Sequence, residues 1–397
     1  SFPRTNPKEP RILARTFGTC QAPSNPWQQN AFVAISLSII KSRSESTPKT
    51  AFFEGFCPQN ALNQAILSTT AAPNVSSQAT ALALVAQDMA QVDAVIANRL
   101  SSGVPLVGQV AQYIISAGGK RLRPVILLLT CGALNYQAAH KFSMAAVVEF
   151  IHTATLLHDD VVDESTLRRG RPTANENFGN PASVLVGDFL YSRAFQMMVE
   201  PGSMRIMQVL ADATNVIAEG EVLQLMNMHD ASLDEAAYLL VIRSKTAKLF
   251  EASARLAAIL AQANSPLEEA CATYGQALGT AFQVIDDVLD YEGNAAEMGK
   301  NLGDDLREGK ATLPLILAMQ RGTSDQKALI QQAIETGSVD QLSSVIAIVK
   351  ETGALEGSRQ AAMAEAQRAI DAIQILPAGP YKEALVALAS QLLVRRT

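Results

Sequence analysis

From about residue 78 onward, apolar residues recur at i, i+3, i+4 and i+7, and alternating β-branched runs are rare. This period predicts helices over 79–101, 104–118, 122–134, 139–162, 181–199, 203–228, 233–263, 267–291, 311–320, 324–336, 340–352, 355–373 and 380–394. Breakers separate them at Gly118-Gly119, Gly170-Arg171-Pro172, Pro201-Gly202, Asn264-Ser265-Pro266 and Gly293. The sequence shows no fixed-period repeat. The pattern therefore predicts one all-α domain, with about ten or more helices around a central bundle.

Residues 1–77 do not share this pattern. Residues 1–55 mix Pro, Ser, Asn, Arg and Lys, with seven basic residues against three acidic. Ala31–Ile40 is apolar but too short to span a bilayer. The stretch reads as a disordered or non-native N-terminal extension; an Arg-rich, Ser-rich, acid-poor transit peptide is the other reading. It is set aside from the fold, which leaves 78–397.

Composition narrows the class. Of 397 residues, 48% are hydrophobic, 18% charged and 5% aromatic, which suits packed helices better than a sandwich or barrel. A net charge of −6 offers no basic face for nucleic acid. Cys20, Cys57, Cys131 and Cys271 form no C-x-x-C pair. They read as free thiols of a reducing compartment, with a cytoplasmic location expected. No apolar run reaches the roughly 18 residues of a membrane-spanning helix.

The candidate chemistry is acidic. Asp159-Asp160-Val161-Val162-Asp163 and Asp286-Asp287-Val288-Leu289-Asp290 both read D-D-x-x-D, each ending an apolar run. Helical spacing puts Asp159 with Asp163, and Asp286 with Asp290, on common faces. Two such pairs face to face would offer oxygen ligands to hard divalent cations such as Mg²⁺. The bland alternative is two solvated, acid-rich helix ends. His152, Thr155, Leu156, Asp159 and Asp163 share one face of the first helix. That placement favours a functional His152 over a satisfied core histidine.

Basic turns flank these carboxylates. Leu167-Arg168-Arg169-Gly170-Arg171-Pro172 follows the first motif, and Gly118-Gly119-Lys120-Arg121-Leu122-Arg123-Pro124 precedes it. Paired guanidiniums suit a ligand with many anionic oxygens, although Arg168 and Arg169 could equally be ion-pair partners of Asp163 and Glu164. The second motif leads into Gly299-Lys300-Asn301-Leu302-Gly303-Asp304-Asp305-Leu306-Arg307-Glu308-Gly309-Lys310. Carboxylates with Mg²⁺, ringed by Lys and Arg, are what diphosphate binding needs.

Taken together, GGKRLRP, EFIHTATLLHDDVVDES, RRG, GDFLYSRAF, SKTAKLFEA, GTAFQVIDDVLDY and GKNLGDDLREGK resemble the trans-polyprenyl diphosphate synthases, and among them the bacterial octaprenyl type. The resemblance covers about 78–397, which it marks as a catalytic domain. It implies an isoprenoid-synthase helical bundle with a central cavity, and a homodimer. It also implies a long all-trans product for quinone side chains, built by repeated condensation of isopentenyl diphosphate onto an allylic diphosphate such as farnesyl diphosphate. By match to the motifs, Lys120, Arg123, His152 and Arg169 would bind isopentenyl diphosphate. Arg168, Lys245, Thr246, Gln283 and Lys300 would bind the allylic diphosphate, with Lys310 a weaker match. Asp159, Asp163 and Asp286 would hold two or three Mg²⁺ ions, while Asp160, Asp287 and Asp290 orient them. Where shorter-chain members read G-Q-x-x-D, this chain reads Gly220-Glu221-Val222-Leu223-Gln224.

Thr155 and Ala154 precede Asp159 by four and five residues, about 6–7.5 Å along a helix. Their small side chains would leave a product tunnel open, which predicts a chain of about C40; ordinary helix packing is the alternative. Tyr191, Phe195 or Met198 are candidates for its floor. Four rivals stand beside this reading. A geranylgeranyl synthase would make a shorter product. A terpene cyclase needs neither GGKRLRP nor a second motif. A di-iron bundle would use Glu149-x-x-His152 but lacks its second copy. The last is a non-catalytic subunit of a heteromeric synthase.

Overall fold

The computed structural model describes residues 76–292 and 302–392. The N-terminal segment through residue 75, and with it Cys20 and Cys57, lies outside the described residues, as does Lys300. Helices account for nearly all of the rest. In chain order they are α1 (Ser76–Arg99), α2 (Pro105–Ser116), α3 (Leu122–Ala133), α4 (His140–Val162), α5 (Ala174–Phe178), α6 (Asn180–Met198), α7 (Met204–Asn227) and α8 (Glu235–Ile242). After a π-helical turn over Arg243–Ala247 come α9 (Lys248–Leu260), α10 (Ser265–Glu292), α11 (Asp304–Arg307), α12 (Leu313–Arg321), α13 (Ser324–Thr336), α14 (Leu342–Glu351), α15 (Ala354–Ala372) and α16 (Pro380–Leu392).

Local chemistry sets the boundaries. Proline opens α2 and stands at the start of α6 and α12, where its missing N–H costs nothing. Asp234 caps α8 by accepting from Ala237 N at 2.8 Å, and Thr323 with Gln326 forms a capping box on α13. Gly337 ends α13 in the left-handed region. The expected helix over 233–263 is one helical run interrupted by a π-turn. The one-turn helices α5 and α11 are too short to show a period in sequence.

Buried apolar side chains form two clusters. The larger gathers α1 to α4, α6, α7, α9, α16 and the first half of α10; the smaller gathers the second half of α10 with α8 and α12 to α15. Helix α10 runs through both, and its acidic motif lies where Val284, Ile285 and Val288 enter the second. Helix α4, carrying the first motif, packs on α6, α3 and α9. Cys131 and Cys271 are buried free thiols. Among the described residues no helix is long and apolar enough to cross a membrane.

Candidate active site

Helix α4 ends at Val162, and Asp163 caps it with its N–H donating to Asp159 O at 2.8 Å. Asp159 and Asp163 thus stay one turn apart at a helix C-terminus, an unfavourable place for anions. Burial raises the Asp159 carboxyl above its usual range and Asp163 adds to this, while Lys245 opposes both. Glu221, on α7, is pushed up to about 7 by burial, with Lys245 pulling down and Asp159 pushing up. Lys245 Nζ sits 2.6 Å from Glu221 Oε2 and 3.8 Å from Asp159 Oδ2. Lys310 Nζ lies 3.6 Å from Asp163 Oδ2 and also pairs with Glu308. The middle residue differs in role. Asp160 is fully buried and receives Arg168 Nη2 at 2.6 Å and Nε at 2.9 Å on its Oδ1. Arg168 is therefore the partner of Asp160, not of Asp163 or Glu164.

Arg168 comes from a two-stranded hairpin, Leu167–Arg168 paired with Arg171–Pro172. Its turn residues, Arg169 and Gly170, have φ of 54° and 72°, the left-handed pair of a tight type I′ turn. Tyr113 of α2 fixes the hairpin by donating to Pro172 O at 2.6 Å, with the Arg171 guanidinium over its ring. The turn carries Arg169 to the Gly118-Gly119 loop. A Cβ at Gly119 would lie 2.7 Å from the Arg169 guanidinium, and the residue's φ of 145° favours glycine there. Arg121, also at positive φ, pairs with Asp93 and lies 3.9 Å from Glu149. Arg123 stands over the Phe250 ring at 4.5 Å. Burial lowers it to about 10, opposed by Glu149. Its Nε is buried without a hydrogen-bond partner among the described residues. His152, on α4, is held well below its ordinary value by burial and by Arg123, Arg168 and Arg169. Lys120 is exposed in the turn before α3. Cationic side chains thus gather around a neutral imidazole.

The π-turn carries Lys245 and Thr246, and such turns recur at functional sites. A Cβ at Gly220 would lie 2.8 Å from Lys245 N, so the glycine lets α7 meet this turn backbone to backbone. Thr246 Oγ1 donates to Gln283 Oε1 at 2.9 Å, and Gln283 Nε2 donates to Asp287 Oδ1 at 2.8 Å. Tyr238 of α8 donates to Asp287 Oδ2 at 2.6 Å. Burial and Asp305 push the Asp287 carboxyl up, and these hydrogen bonds oppose them. Lys245, Thr246, Gln283, Tyr238 and Lys310 all line one cleft of about 130 Å³.

The second motif divides by burial. Asp287 and Asp290 are buried, whereas Asp286 is only half-buried. Asp290 accepts Asp305 N at 3.2 Å on its carboxylate and Gly303 N at 3.1 Å on its carbonyl, so it anchors the loop that leads to Lys310. Of the pair expected on one face, Asp290 is thus engaged at α11.

The donors fit a hard divalent cation. They are oxygens on a crowd of like charges, which Lys245 and Lys310 compensate only from 3.8 and 3.6 Å. Among the described residues no group of three His, Cys, Asp or Glu side chains is placed to hold a metal alone. Glu149 of the di-iron reading faces Arg121, Arg123 and Arg169 instead. Ala154 is fully buried, and Thr155, half-buried, donates to His152 O at 2.8 Å. Sequence reasoning missed the Glu149, Asp160 and Tyr238 contacts. Nothing in their spacing marks them, since the partners of Glu149 and Tyr238 are distant in the chain and that of Asp160 comes back only through the hairpin.

Residues 104–350 match the polyprenyl synthetase family. The chain is 54% identical over 307 residues to the octaprenyl diphosphate synthase of Escherichia coli K12, covering 77% of this chain and 95% of that protein. It is 49% identical to the all-trans-nonaprenyl-diphosphate synthase (geranyl-diphosphate specific) of Rhodobacter capsulatus, covering 77% and 94%. A solved polyprenyl synthase from Caulobacter crescentus CB15, complexed with calcium and isoprenyl diphosphate, superposes with a TM-score of 0.78 at 44% identity. That match covers 81% of this chain and 98% of the solved one. The chain belongs to the polyprenyl synthetase family and is a trans-prenyltransferase of the isoprenoid-synthase helical fold.

Proposed function

We propose that residues 78–397 extend an allylic diphosphate such as farnesyl diphosphate with successive isopentenyl diphosphate units to an all-trans product of about C40, Thr155 and Ala154 leaving the tunnel open about 6–7.5 Å along α4 from Asp159. Such a product serves as a quinone side chain, and the cytoplasm is the expected place of synthesis. The observation that carries the reading is the meeting of two subsites on α4: the Asp159–Asp163 edge with Lys245, and the Arg123–Arg169–His152 cluster with its orphaned Arg123 Nε.

In this reading Asp159, Asp163 and Asp286 hold Mg²⁺, which when bound withdraws charge from the leaving diphosphate. Arg168, locked by Asp160, and Lys245, backed by Glu221, hold the allylic diphosphate oxygens; Thr246, Gln283, Lys300 and Lys310 complete that side. Lys120, Arg123, Arg169 and the neutral His152 anchor isopentenyl diphosphate. Its double bond attacks the allylic carbon as the carbon–oxygen bond to diphosphate breaks. The diphosphate released beside it takes the proton that the isopentenyl C2 loses as the new double bond forms. Exposed Leu185 and Phe195 on α6, Val199 just beyond its end, and Val222, Leu225 and Met226 on α7 support a homodimer.

The test is incubation of the purified chain with farnesyl diphosphate, labelled isopentenyl diphosphate and Mg²⁺, followed by sizing of the products. Products near C40 that vanish with EDTA are expected. A C20 product would replace the reading with the geranylgeranyl one, and no product would favour a subunit that needs a partner.

A further inference from the structure

Tyr238 has no counterpart among the residues assigned above, yet it closes a chain of three hydrogen bonds that spans α8, α10 and the π-turn. Its hydroxyl gives its one hydrogen to Asp287 Oδ2 at 2.6 Å. Asp287 takes Gln283 Nε2 on its other oxygen, Oδ1, at 2.8 Å. The other end of the same amide, Gln283 Oε1, takes the Thr246 hydroxyl at 2.9 Å. The two bonds set the amide with its carbonyl toward Thr246 and its nitrogen toward Asp287. The amide nitrogen has two hydrogens and Asp287 uses one. Gln283 also lines the cleft that holds Lys245 and Lys310. Flipped, the amide would turn an oxygen, not a donor, toward an anion there.

We infer that Tyr238 is a positioning residue: through Asp287 it fixes the Gln283 amide so that its second N–H serves the phosphate oxygens of the allylic substrate. The Tyr238 ring is buried and packs in the smaller core cluster, so Tyr238→Phe removes the hydroxyl and keeps the packing. The inference rests on the proposed allylic subsite, and its test separates the two.

In full-length protein, Tyr238→Phe should raise KM for farnesyl diphosphate about tenfold, the weight of one hydrogen bond to a charged group, with KM for isopentenyl diphosphate within about twofold. In a Gln283→Leu background the same change should add almost nothing, because the amide to be oriented is gone. Calorimetric binding of inorganic diphosphate with Mg²⁺ should weaken by a similar factor in Tyr238→Phe and by no further factor in the double variant. The inference is overturned if the two KM values move alike or not at all, if the Tyr238→Phe loss persists without Gln283, or if wild-type protein binds no diphosphate. Wild-type protein that binds diphosphate yet makes no prenyl product would sink the proposed function alone, and the binding arm would still decide the role of Tyr238.

Discussion

At Asp159 the cost of a charge comes from burial and from Asp163, and the relief from Lys245 at 3.8 Å. Asp159→Ala should lower kcat far more than tenfold, or well over 1.4 kcal/mol. A variant keeping more than about a tenth of wild-type kcat would remove Asp159 from the metal set. Thr155 is the better probe of product length, because Ala154 is fully packed whereas Thr155 is half-buried. Thr155→Phe should shift products below C40 on chromatographic sizing; an unchanged spectrum leaves the position to helix packing. His152 makes a different prediction. Burial and three guanidiniums hold it neutral in the fold, whereas in the unfolded chain it titrates near its ordinary value of about 6.5. Below that pH the unfolded chain binds a proton that the folded one does not, so stability falls as pH drops. His152→Gln should flatten the fall in urea-unfolding stability between pH 7 and 5, and parallel pH curves for the two proteins would contradict it.

Between elements, small residues decide how the site is assembled. A Cβ at Gly275 of α10 would lie 2.3 Å from Phe250 O of α9, a backbone atom that cannot swing aside. Gly275→Ala gains about 1 kcal/mol of helix propensity. It loses more by forcing α9 from α10, about 1–3 kcal/mol for overpacking. Its Tm should fall by a few degrees in calorimetry, and a rise would show that α9 and α10 tolerate separation. Most of these elements were readable in sequence. The helices of 324–336 and 122–134 follow from apolar faces bounded by Gly and Pro, and they end within a residue of their observed limits. The π-turn at Arg243–Ala247 was not readable, because the apolar period runs through 233–263 unbroken. The hairpin at Leu167–Pro172 was equally silent, since two-residue strands are too short to alternate. Likewise Asp159, Asp163 and Arg168 could be picked out by spacing, but not that Asp160 turns inward to clamp Arg168. That choice is made by the fold bringing the hairpin back on α4.

At the scale of the whole molecule, a buried helix should have no exposed apolar stripe, and a solvated one should be polar on its outer face. Helix α6 is neither. Leu185 is 66% exposed, and Phe195 and Val199 follow on the same side, with Asp188 and Ser192 between them. Helix α7, which packs beside α6, exposes Val222, Leu225 and Met226, the last at 75%. Large apolar residues clustered on adjacent helices mark an association surface more often than a bare one. A two-fold homodimer would use the same patch twice, so one substitution per chain counts double at the interface. In the proposed homodimer, Leu185→Glu with Phe195→Glu should shift the protein to monomer in sedimentation velocity, since each would bury a carboxylate against its own copy. The helices α4 and α6 pack together, so loss of the dimer should also loosen the wall behind Asp159 and lower kcat. A double variant that sediments as the wild type does would move the interface to another face.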